Sequence, residues 1–521
     1  MIRINEIKLS LDDDESLLKS KAAKILKINE KYIESYTIFK KSVDARKKDD
    51  VHFTYALDVI ITLDEEQIVD KCKSSKVQIV KPYHYELPQN KRSSQFRPIV
   101  VGFGPAGMLA GLILAQAGAM PIILERGKDI DARQRDVNEF WTKRKLDEES
   151  NVQFGEGGAG TFSDGKLTTG IKSPYIRKVL EELYEAGAPE EILYSSKPHI
   201  GTDRLAIVVK NIRKKIERLG GEVRLESKLD KLYTANGAIQ GVSYTHRGER
   251  TDIETDSVIM AIGHSARDTV EMLYKLGVEI IQKPFSVGAR IEHPQSLINK
   301  AQYGKFANHP KLGAADYKLS CHGLHERGAY TFCMCPGGTV VAAASEKEGV
   351  IVNGMSSLAR DGENANSALL VGIEPKDFPS EHPLAGIYYQ REIEHKAFLL
   401  GGSDYKAPAQ LVGDFLQGKQ STQLGSVQPT CPTGVTLTDL DEVLPQKVSA
   451  TMKDAIVQMD KKLNGFNMYD AVLTAPETRS SSSVRILRDE FLECNIQGIY
   501  PCGEGASNLS GGQKQRLCIA R

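Results

Sequence analysis

The sequence has no excess of charge and no cysteine framework, and both absences exclude functional classes. Its 68 lysines and arginines balance 68 aspartates and glutamates, so no overall field attracts nucleic acid or an anionic membrane. The eight cysteines are scattered, without the spacing of a small secreted protein or the two CxxC clusters of a zinc site. We therefore expect no metal centre, no nucleic-acid partner and no membrane partner.

Long uncharged runs are scarce as well. Residues 98–124 carry no charge over a length that can span a bilayer, but they contain five glycines and three prolines. Pro121 opens a β-branched run instead of continuing a helix, which argues against a membrane span. The first residues lack the charged and apolar regions of a secretory signal, so we expect the cytoplasm as the compartment.

The same segment carries the most informative pattern in the chain. It reads as a strand, the glycine turn 102–107, a helix, a second strand and Glu125. The first glycine permits a tight turn, the second admits a pyrophosphate, and the third lets the helix pack closely on the sheet. The helix N-terminus offers N–H groups to phosphate, and Glu125 is placed to accept hydrogen bonds from a ribose. The pattern predicts a dinucleotide site.

A second glycine-rich passage follows at residues 153–166. Its five glycines favour a loop that lies against a ligand, and a merely flexible loop is the alternative. The part from Gly160 to Lys166 begins like a P-loop, but Leu167 stands where a Mg²⁺-binding hydroxyl is required. A nucleoside-triphosphate site is therefore excluded at this loop.

Two later segments resemble the further FAD motifs of two-dinucleotide flavoproteins. An apolar strand ends in Ala261-Ile-Gly263, like the second motif, and Gly503-Glu504 follows a strand, like the third. In that third motif, an acid after glycine meets the ribityl hydroxyls of the flavin. The resemblance implies FAD as the cofactor.

Residues 1–506 as a whole resemble the bacterial family of uncharacterised FAD-dependent, or NAD(FAD)-utilising, dehydrogenases. The matching phrases are 41–48, 155–167, 330–338, 353–356 and 364–368. The resemblance implies an α/β fold with a glutathione-reductase-like FAD-binding Rossmann domain, an inserted substrate domain and a small N-terminal α+β domain. It implies no particular reaction, because fold similarity does not supply one.

The domain boundaries follow from these motifs and from the composition between them. They are a small module at 1–83, a linker at 84–98, the FAD-binding domain at 99–280 and 431–506, the inserted substrate domain at 281–430, and a tail at 507–521. No second βαβ unit with a Gly-x-Gly-x-x-Gly turn follows Gly107. NAD(P)H would therefore bind without its usual fold, or another donor supplies the electrons.

The residues predicted to hold FAD come from the two glycine segments, the two later motifs and one apolar strand position. They are Gly102, Gly104, Pro105, Ala106, Gly107, Glu125, Arg126, Gly158, Ala159, Gly160, Thr161, Leu229, Ala261, Gly263, Gly503 and Glu504.

Four residues are catalytic candidates. Cys333 and Cys335 form a thiol pair, and thiols near a flavin can form a charge-transfer thiolate or relay electrons. Residues i and i+2 of a strand share a face, so packing in a core is the alternative for both. Arg290 can meet an anionic substrate, or pair with Glu292 or another acid. His325 can act as an acid or base near flavin N5, and a solvent-exposed loop histidine is its alternative.

The tail departs from the flavoprotein pattern. Residues 509–521 resemble the signature motif and following helix of an ABC-transporter ATPase, although no Walker A lysine loop precedes them. We interpret this end as a chimeric C-terminus and expect its charged face to weaken FAD retention.

Together these features predict an FAD-dependent oxidoreductase that transfers hydride through flavin N5 to or from a small-molecule substrate. The alternative is a non-catalytic flavin-binding protein that senses redox state or docks a partner through residues 1–83.

Overall fold

The computed structural model describes residues 1–89, 94–169, 173–322 and 327–506. Its first unit is the small α+β module predicted from the sequence. The elements are β1 (Ile2–Ser10), α1 (Leu17–Leu26), β2 (Ile33–Asp44), β3 (His52–Ile61), α2 (Glu65–Cys72) and β4 (Val77–Ile79). The sheet order is β2-β3-β1-β4, and β1 alternates largely between buried and exposed residues because helices cover one face of the sheet.

The second unit starts with the predicted dinucleotide-binding segment. Its elements are β5 (Ile99–Val101), α3 (Pro105–Gln116), β6 (Ile122–Leu124), α4 (Ile130–Lys143), α5 (Tyr175–Glu185), α6 (Thr202–Arg218), β7 (Glu222–Arg224), β8 (Ser227–Ala235), β9 (Ala238–His246), β10 (Glu249–Glu254), β11 (Val258–Met260), α7 (Arg267–Lys275) and β12 (Ile280–Gln282). β5 pairs in parallel with β6 on one side and with β11 on the other. Every residue of β5 and β6 is buried, as in other parallel sheets covered on both faces.

α3 is the most apolar of these helices, with one buried residue after another along its length. Over residues 1–89, 94–169, 173–322 and 327–506, no helix is both long enough and apolar enough to cross a bilayer.

An inserted unit follows β12. Its elements are β13 (Phe285–Pro294), α8 (Gln295–Tyr303), β14 (Ser320–His322), β15 (Gly328–Cys335), β16 (Thr339–Ala342), β17 (Val352–Met355), β18 (Asn364–Ile373), α9 (Ala385–Leu400), β19 (Ala407–Leu411), α10 (Val412–Gln417), β20 (Val435–Leu437), α11 (Gln446–Asp460) and β21 (Val472–Glu477). Seven of these strands form the inserted sheet, in the order β14-β15-β18-β13-β21-β19-β20, and β16 and β17 pair with each other in a separate two-stranded sheet. β13 lies at the centre of the inserted sheet, antiparallel to β18 and to β21.

The two faces of the inserted sheet differ in character. Ala289 and Ile291 of β13 and Leu369 of β18 point into the main hydrophobic core, which α8 and α11 complete. Because strand residues alternate between faces, Ser286 and Arg290 of β13 lie on the opposite side. We call this side, which also carries Tyr330, Asn366 and Glu477, the polar face.

After the inserted unit the chain passes through β22 (Val484–Ile486) and returns to the parallel sheet of the second unit with β23 (Ile499–Pro501). The parallel sheet then has the order β23-β11-β5-β6-β7. The sequence placed the end of the inserted domain at residue 430, whereas β20, α11 and β21 still belong to the inserted sheet or its core. The insertion therefore reaches Glu477. The boundary predicted at residue 430 was wrong, because no glycine motif before Gly503 marks the return of the chain to the parallel sheet.

A buried ion cluster fixes the inserted unit to the second unit. Arg267 of α7 donates to both carboxylate oxygens of Glu394 on α9, each at 2.8 Å. Arg479, two residues after β21, donates to the same carboxylate at 2.8 and 3.1 Å. Burial raises the pKa of Glu394, but the two guanidinium groups outweigh it and hold that pKa well below its usual range. The carboxylate therefore stays ionised between its two partners.

Removing this buried charge is expected to destabilise the protein strongly. Glu394→Gln leaves the two buried guanidinium groups to share the carboxylate of the half-buried Glu346, so we expect the free energy of unfolding to fall by about 3–5 kcal/mol. The measurement is urea unfolding of the full chain. Glu392→Gln on the same helix is the control, because Glu392 forms an exposed pair with Lys396 at 2.8 Å and its loss is expected to cost less than about 1 kcal/mol. Equal effects of the two substitutions would contradict the assignment.

Candidate flavin site

The glycine turn after β5 is held by backbone contacts that leave no room for side chains. Gly102 has a φ of +96°, and a Cβ on it would lie 2.5 Å from the carbonyl oxygen of Ala261. A Cβ on Gly107 would lie 1.9 Å from the carbonyl oxygen of Gly102. These two glycines therefore bring α3, β5 and the end of β11 together, as the dinucleotide motif requires.

The next glycines border open space. A Cβ on Gly104 would have only the Cα of Gly158 near it, at 3.8 Å, and a Cβ on Gly263 would meet nothing within 4 Å. A Cβ on Gly503 would contact only Ala106, at 3.8 Å. No side chain caps the N-terminus of α3, which begins at this space. We call this space, bordered by Gly104, Gly263 and Gly503, the cradle.

The cradle fits the pyrophosphate and ribityl part of FAD. Its walls are backbone and glycine, so a phosphate can approach closely, and the free N-terminus of α3 supplies N–H donors and a partial positive charge. The buried Nζ of Lys283, which has no hydrogen-bond partner within the described ranges, acts electrostatically on Glu504. The residues present therefore match the group that the sequence predicted.

Glu125 lies where the sequence predicted it, at the end of β6 and beside the glycine turn. Its carboxylate accepts backbone hydrogen bonds from Phe103 at 2.8 Å, Gly127 at 3.0 Å and Gly155 at 2.8 Å. Only 5% of its surface is exposed. Glu125 thereby connects the first glycine turn to the second glycine-rich passage.

The second passage forms a tight loop on top of the first turn. The N–H of Gly157 donates to the carbonyl of Phe103 at 2.9 Å, and a Cβ on Gly158 would lie 2.8 Å from the Cα of Gly104. Residues Gly158–Phe162, which include Ala159, Gly160 and Thr161, make a single 3₁₀ turn beside Pro105. The loop therefore has a fixed shape at the cradle.

A buried arginine holds this loop in place. Arg133 of α4 is fully buried and donates to the carbonyls of Asn151 at 2.8 Å, Val152 at 2.9 Å and Glu156 at 2.8 Å. Burial lowers the pKa of Arg133 to about 10. The side chain remains a cation at neutral pH, so its three charge-assisted bonds persist.

The second and third motifs meet through a residue that the sequence analysis did not select. His264 follows Gly263, and its Nδ1 lies 3.0 Å from the carboxylate of Glu504. Its Nε2 lies 2.9 Å from the carbonyl of Arg479, and Glu504 also accepts the N–H of Ser482 at 3.1 Å. Burial raises the pKa of Glu504, but His264 and Lys283 hold it below its ordinary value. An ionised acceptor is thus fixed beside the cradle.

Two predicted cofactor residues use their side chains within the protein. Leu229 of β8 is buried in the core under the parallel sheet. Arg126 donates to Glu149 at 2.6 Å and to both carboxylate oxygens of Asp268 at 2.9 Å, and its guanidinium lies 4.2 Å from the ring centroid of Phe154. That Leu229 and Arg126 contact FAD stays a prediction. Because their side chains are engaged within the protein, their backbone atoms would have to make these contacts.

Arg290 does not lie free to meet a substrate. Its guanidinium donates to Glu477 at 2.6 and 3.4 Å, to the carbonyl of Cys333 at 2.9 Å, to Asn366 at 3.1 Å and to Asn353 at 2.9 Å. These bonds use all five N–H groups of an arginine. The alternative of pairing with an acid is therefore the one observed, and the acid is Glu477 instead of Glu292.

The two thiols lie together at the end of β15. Cys335 is fully buried and its Sγ donates to the carbonyl of Cys333 at 3.2 Å, while Cys333 is partly exposed. Lys166, from the glycine-rich loop, places its Nζ 4.0 Å from Sγ of Cys335 and 3.0 Å from Asp164. The inserted sheet and the loop beside the cradle therefore meet at this pair.

Several residues of this site escaped the sequence analysis. Lys166 was considered only as a P-loop lysine, and Glu477 and Tyr330 carry no local motif that separates them from other strand residues. His264 follows directly after the second FAD motif, so a motif extended by one residue would have found it. His325 and the tail at 507–521 lie outside the described residues.

The cradle and the parallel sheet together define an FAD-binding flavoprotein with a Rossmann-type domain. An uncharacterised protein of Clostridium beijerinckii is 48% identical to this chain over 513 residues, which cover 98% of this chain and 95% of that protein. Residues 284–480 match the model of the FAD-dependent protein, C-terminal domain-like family, and residues 1–60 match a domain of unknown function (DUF8436). The chain belongs to the family of this clostridial protein, a family of FAD-dependent proteins.

Solved structures of flavin-dependent enzymes show a weaker likeness. A triple mutant of the flavin-dependent brominase Bmp2 is 10% identical, with coverage of 82% of this chain and 77% of that chain and a TM-score of 0.37. A geranylgeranyl bacteriochlorophyll reductase-like protein of Thermoplasma acidophilum is 14% identical, with coverage of 81% and 75% and a TM-score of 0.36. At these values, neither likeness says what this chain acts on. The FAD cofactor and an FAD-dependent family are confirmed, whereas dehydrogenase activity stays a prediction and the chimeric origin predicted for the tail has no support from these matches.

The cradle predicts that one added methyl group will weaken FAD binding without disturbing the fold. Gly104→Ala fits the protein, since the nearest heavy atom to its Cβ would be 3.8 Å away, but it fills space meant for the pyrophosphate. We expect FAD affinity to fall at least about tenfold, the ratio that 1.4 kcal/mol corresponds to, while the melting temperature of the apoprotein stays unchanged. Flavin fluorescence titration and thermal unfolding are the measurements.

A glycine far from the cradle provides the matched control. Gly248 lies in the turn between β9 and β10 with a φ of +89° and with nothing within 4 Å of its Cβ position. Gly248→Ala is expected to cost about 1 kcal/mol of stability through backbone strain and to leave FAD affinity unchanged. Retained FAD affinity in Gly104→Ala would refute the placement of the cofactor.

Proposed function

We propose that this protein is an FAD-dependent oxidoreductase that moves a hydride between flavin N5 and a small-molecule substrate bound against the polar face. The observation that carries the proposal is the meeting of the polar face with the cradle. Ser286 on the polar face accepts a hydrogen bond from Ser480 through its carbonyl at 3.3 Å, and Ser482, two residues further on, donates its N–H to Glu504 of the third FAD motif at 3.1 Å. Bound FAD would supply the two-electron chemistry, and the protein supplies position and electrostatics.

Tyr330 and Ser286 offer a hydrogen-bonding pair on this face. The Tyr330 hydroxyl donates to Oγ of Ser286 at 2.8 Å. Burial, together with the nearby carboxylates, raises the pKa of Tyr330 above its ordinary value. The phenol is therefore protonated at neutral pH, and its O–H would exchange Ser286 for a carbonyl or carboxylate of a substrate.

Glu477 is suited to hold and release a proton. Burial raises its pKa to about 7, against the opposing influence of Arg290 and with a further increase from Cys333. A carboxyl with a pKa near the working pH is an efficient acid or base. Arg290 keeps both carboxylate oxygens in place and acts as a positioning residue. The strand β17 must approach this pair closely, because a Cβ on Gly354 would lie 2.5 Å from Nη1 of Arg290.

Reduction of the bound flavin by a donor tests the proposal directly. The FAD-loaded full-length protein is mixed anaerobically with NADH, NADPH and a panel of metabolites, and flavin absorbance is followed. We expect at least one donor to bleach the flavin with a rate that saturates with donor concentration. If none does, the protein is a flavin-binding module that senses redox state or docks a partner, and the oxidoreductase proposal fails.

Substitution of Glu477 is expected to change the pH profile of that reaction. Glu477→Gln keeps the size and the acceptor for Arg290 but cannot titrate, so we expect the rate to fall about 10²–10⁴-fold and to lose its dependence on pH near 7. Glu490→Gln, at an exposed position in the loop before β23, is the control and is expected to retain the wild-type profile. An unchanged profile in folded, FAD-loaded Glu477→Gln would remove Glu477 from the mechanism, whatever stability the loss of the Arg290 partner costs.

A further inference from the structure

We infer that Cys333 and Cys335 form a redox-active dithiol that reacts with disulfide substrates, with Cys333 as the attacking thiolate and Cys335 as the resolving thiol. The inference rests on the proposed oxidoreductase function and names its substrate class. It stands on the backbone at the two cysteines, on the charges that surround them, and on the difference in their exposure.

The backbone at Cys333 departs from a regular strand. The register between β15 and β18 shifts between Phe332 and Cys335, and Cys333 has a φ of +45°. A β-bulge re-aims a side chain, and a non-glycine residue at positive φ is a strained conformation that clusters at functional sites. Cys333 and Cys335 are therefore not two core residues on one face of a strand. The Sγ of Cys335 donates a hydrogen bond to the backbone carbonyl of Cys333 at 3.2 Å, so the two cysteines are in direct contact.

Charged groups from the surrounding elements all face this pair. The glycine-rich loop contributes Lys166 and Asp164, β13 contributes Arg290, and β21 contributes Glu477. Arg360, from the segment before β18, is paired with Asp164. Three cations, Lys166, Arg290 and Arg360, face two carboxylates, Asp164 and Glu477, so the thiols lie in a net positive environment.

Exposure separates the roles of the two thiols. Cys333 is partly exposed, whereas Cys335 is fully buried. The neighbouring Cys335 thiol, together with the charges of Lys166 and Arg290, lowers the pKa of Cys333 well below its usual value. A substrate therefore reaches Cys333 first, and Cys335 lies behind it as the resolving thiol.

The reaction balances within the dithiol and its substrate. The Cys333 thiolate attacks one sulfur of a disulfide R–S–S–R, which forms a Cys333–S–S–R bond and releases RS⁻. Sγ of Cys335 then attacks Sγ of Cys333, which forms the Cys333–Cys335 disulfide and releases the second RS⁻. The proton of the Cys335 thiol passes to a released thiolate. The substrate gains two electrons, and the dithiol loses two.

Recovery of the dithiol connects this chemistry to the proposed function. A disulfide that accepts two electrons and one proton becomes one thiolate and one thiol. Two electrons and one proton make up one hydride, and reduced flavin is a hydride donor. Reduced flavin is therefore the kind of reductant that would restore the dithiol.

Trapping of the mixed disulfide tests the inference. The FAD-loaded full chain and its Cys335→Ser variant are treated with glutathione disulfide, and the products are assigned by intact mass and peptide mapping. We expect Cys335→Ser to accumulate one glutathione on Cys333, while the wild type loses two hydrogens and retains no glutathione. Cys333→Ser is expected to do neither. Cys72→Ser in α2 is the control and is expected to behave as wild type.

A second measurement examines the thiolate itself. Alkylation by iodoacetamide at neutral pH is expected to be at least about tenfold faster at Cys333 than at the buried Cys72, and Lys166→Met is expected to shift the pH profile of Cys333 upward. Glutathionylation of Cys333 no faster than of Cys72, with alkylation equally slow, would overturn the inference. Since thiol trapping needs no electron donor, its failure is distinct from a failure of donor-dependent flavin reduction.

Discussion

The fold of the site depends on the approach of backbone to backbone at the glycine turn. Gly107 packs so closely on Gly102 that any side chain would collide with a carbonyl, and Gly158 packs on Gly104 in the same way. Once the glycine-rich loop rests there, its far end is determined too, because Asp164 and Lys166 follow within a few residues. Lys166 then reaches Cys335 of the inserted sheet. The glycines of the turn after β5 thus help to place the Lys166 ammonium beside the inserted sheet.

A second constraint comes from the segment that follows β21. Glu477 at its start binds Arg290, Arg479 joins the buried ion cluster, and the N–H of Ser482 binds Glu504. A buried charge is tolerated only with its partner, so each of these contacts fixes the segment in one place. The segment therefore ties the polar face, the second unit and the third FAD motif to one another. A substrate on the polar face would lie within this framework, beside the cradle.

The sequence predicted what local patterns encode. The glycine turn, Glu125 and the second and third FAD motifs each depend on a few neighbouring residues, and the structure places all of them around the cradle. It did not predict the partner of Arg290, because Glu477 is 187 residues away along the chain and no spacing rule connects them. The end of the insertion at Glu477 was missed for a related reason. Strands such as β21 pair with strands that are distant in sequence, and the residues of β21 alone do not indicate which sheet the strand joins.

The thiol pair shows how a correct local rule can mislead. In a regular strand, Cys333 and Cys335 would share a face and serve as core residues. The bulge at Cys333 breaks that alternation, and because a cysteine and not a glycine occupies the position of positive φ, the sequence gives no sign of it. The charged residues around the two cysteines favour a redox role over packing in a core. A hydrophobic core has no reason to surround two thiols with Lys166 and Arg290, whereas a thiolate that must form at neutral pH requires nearby positive charge.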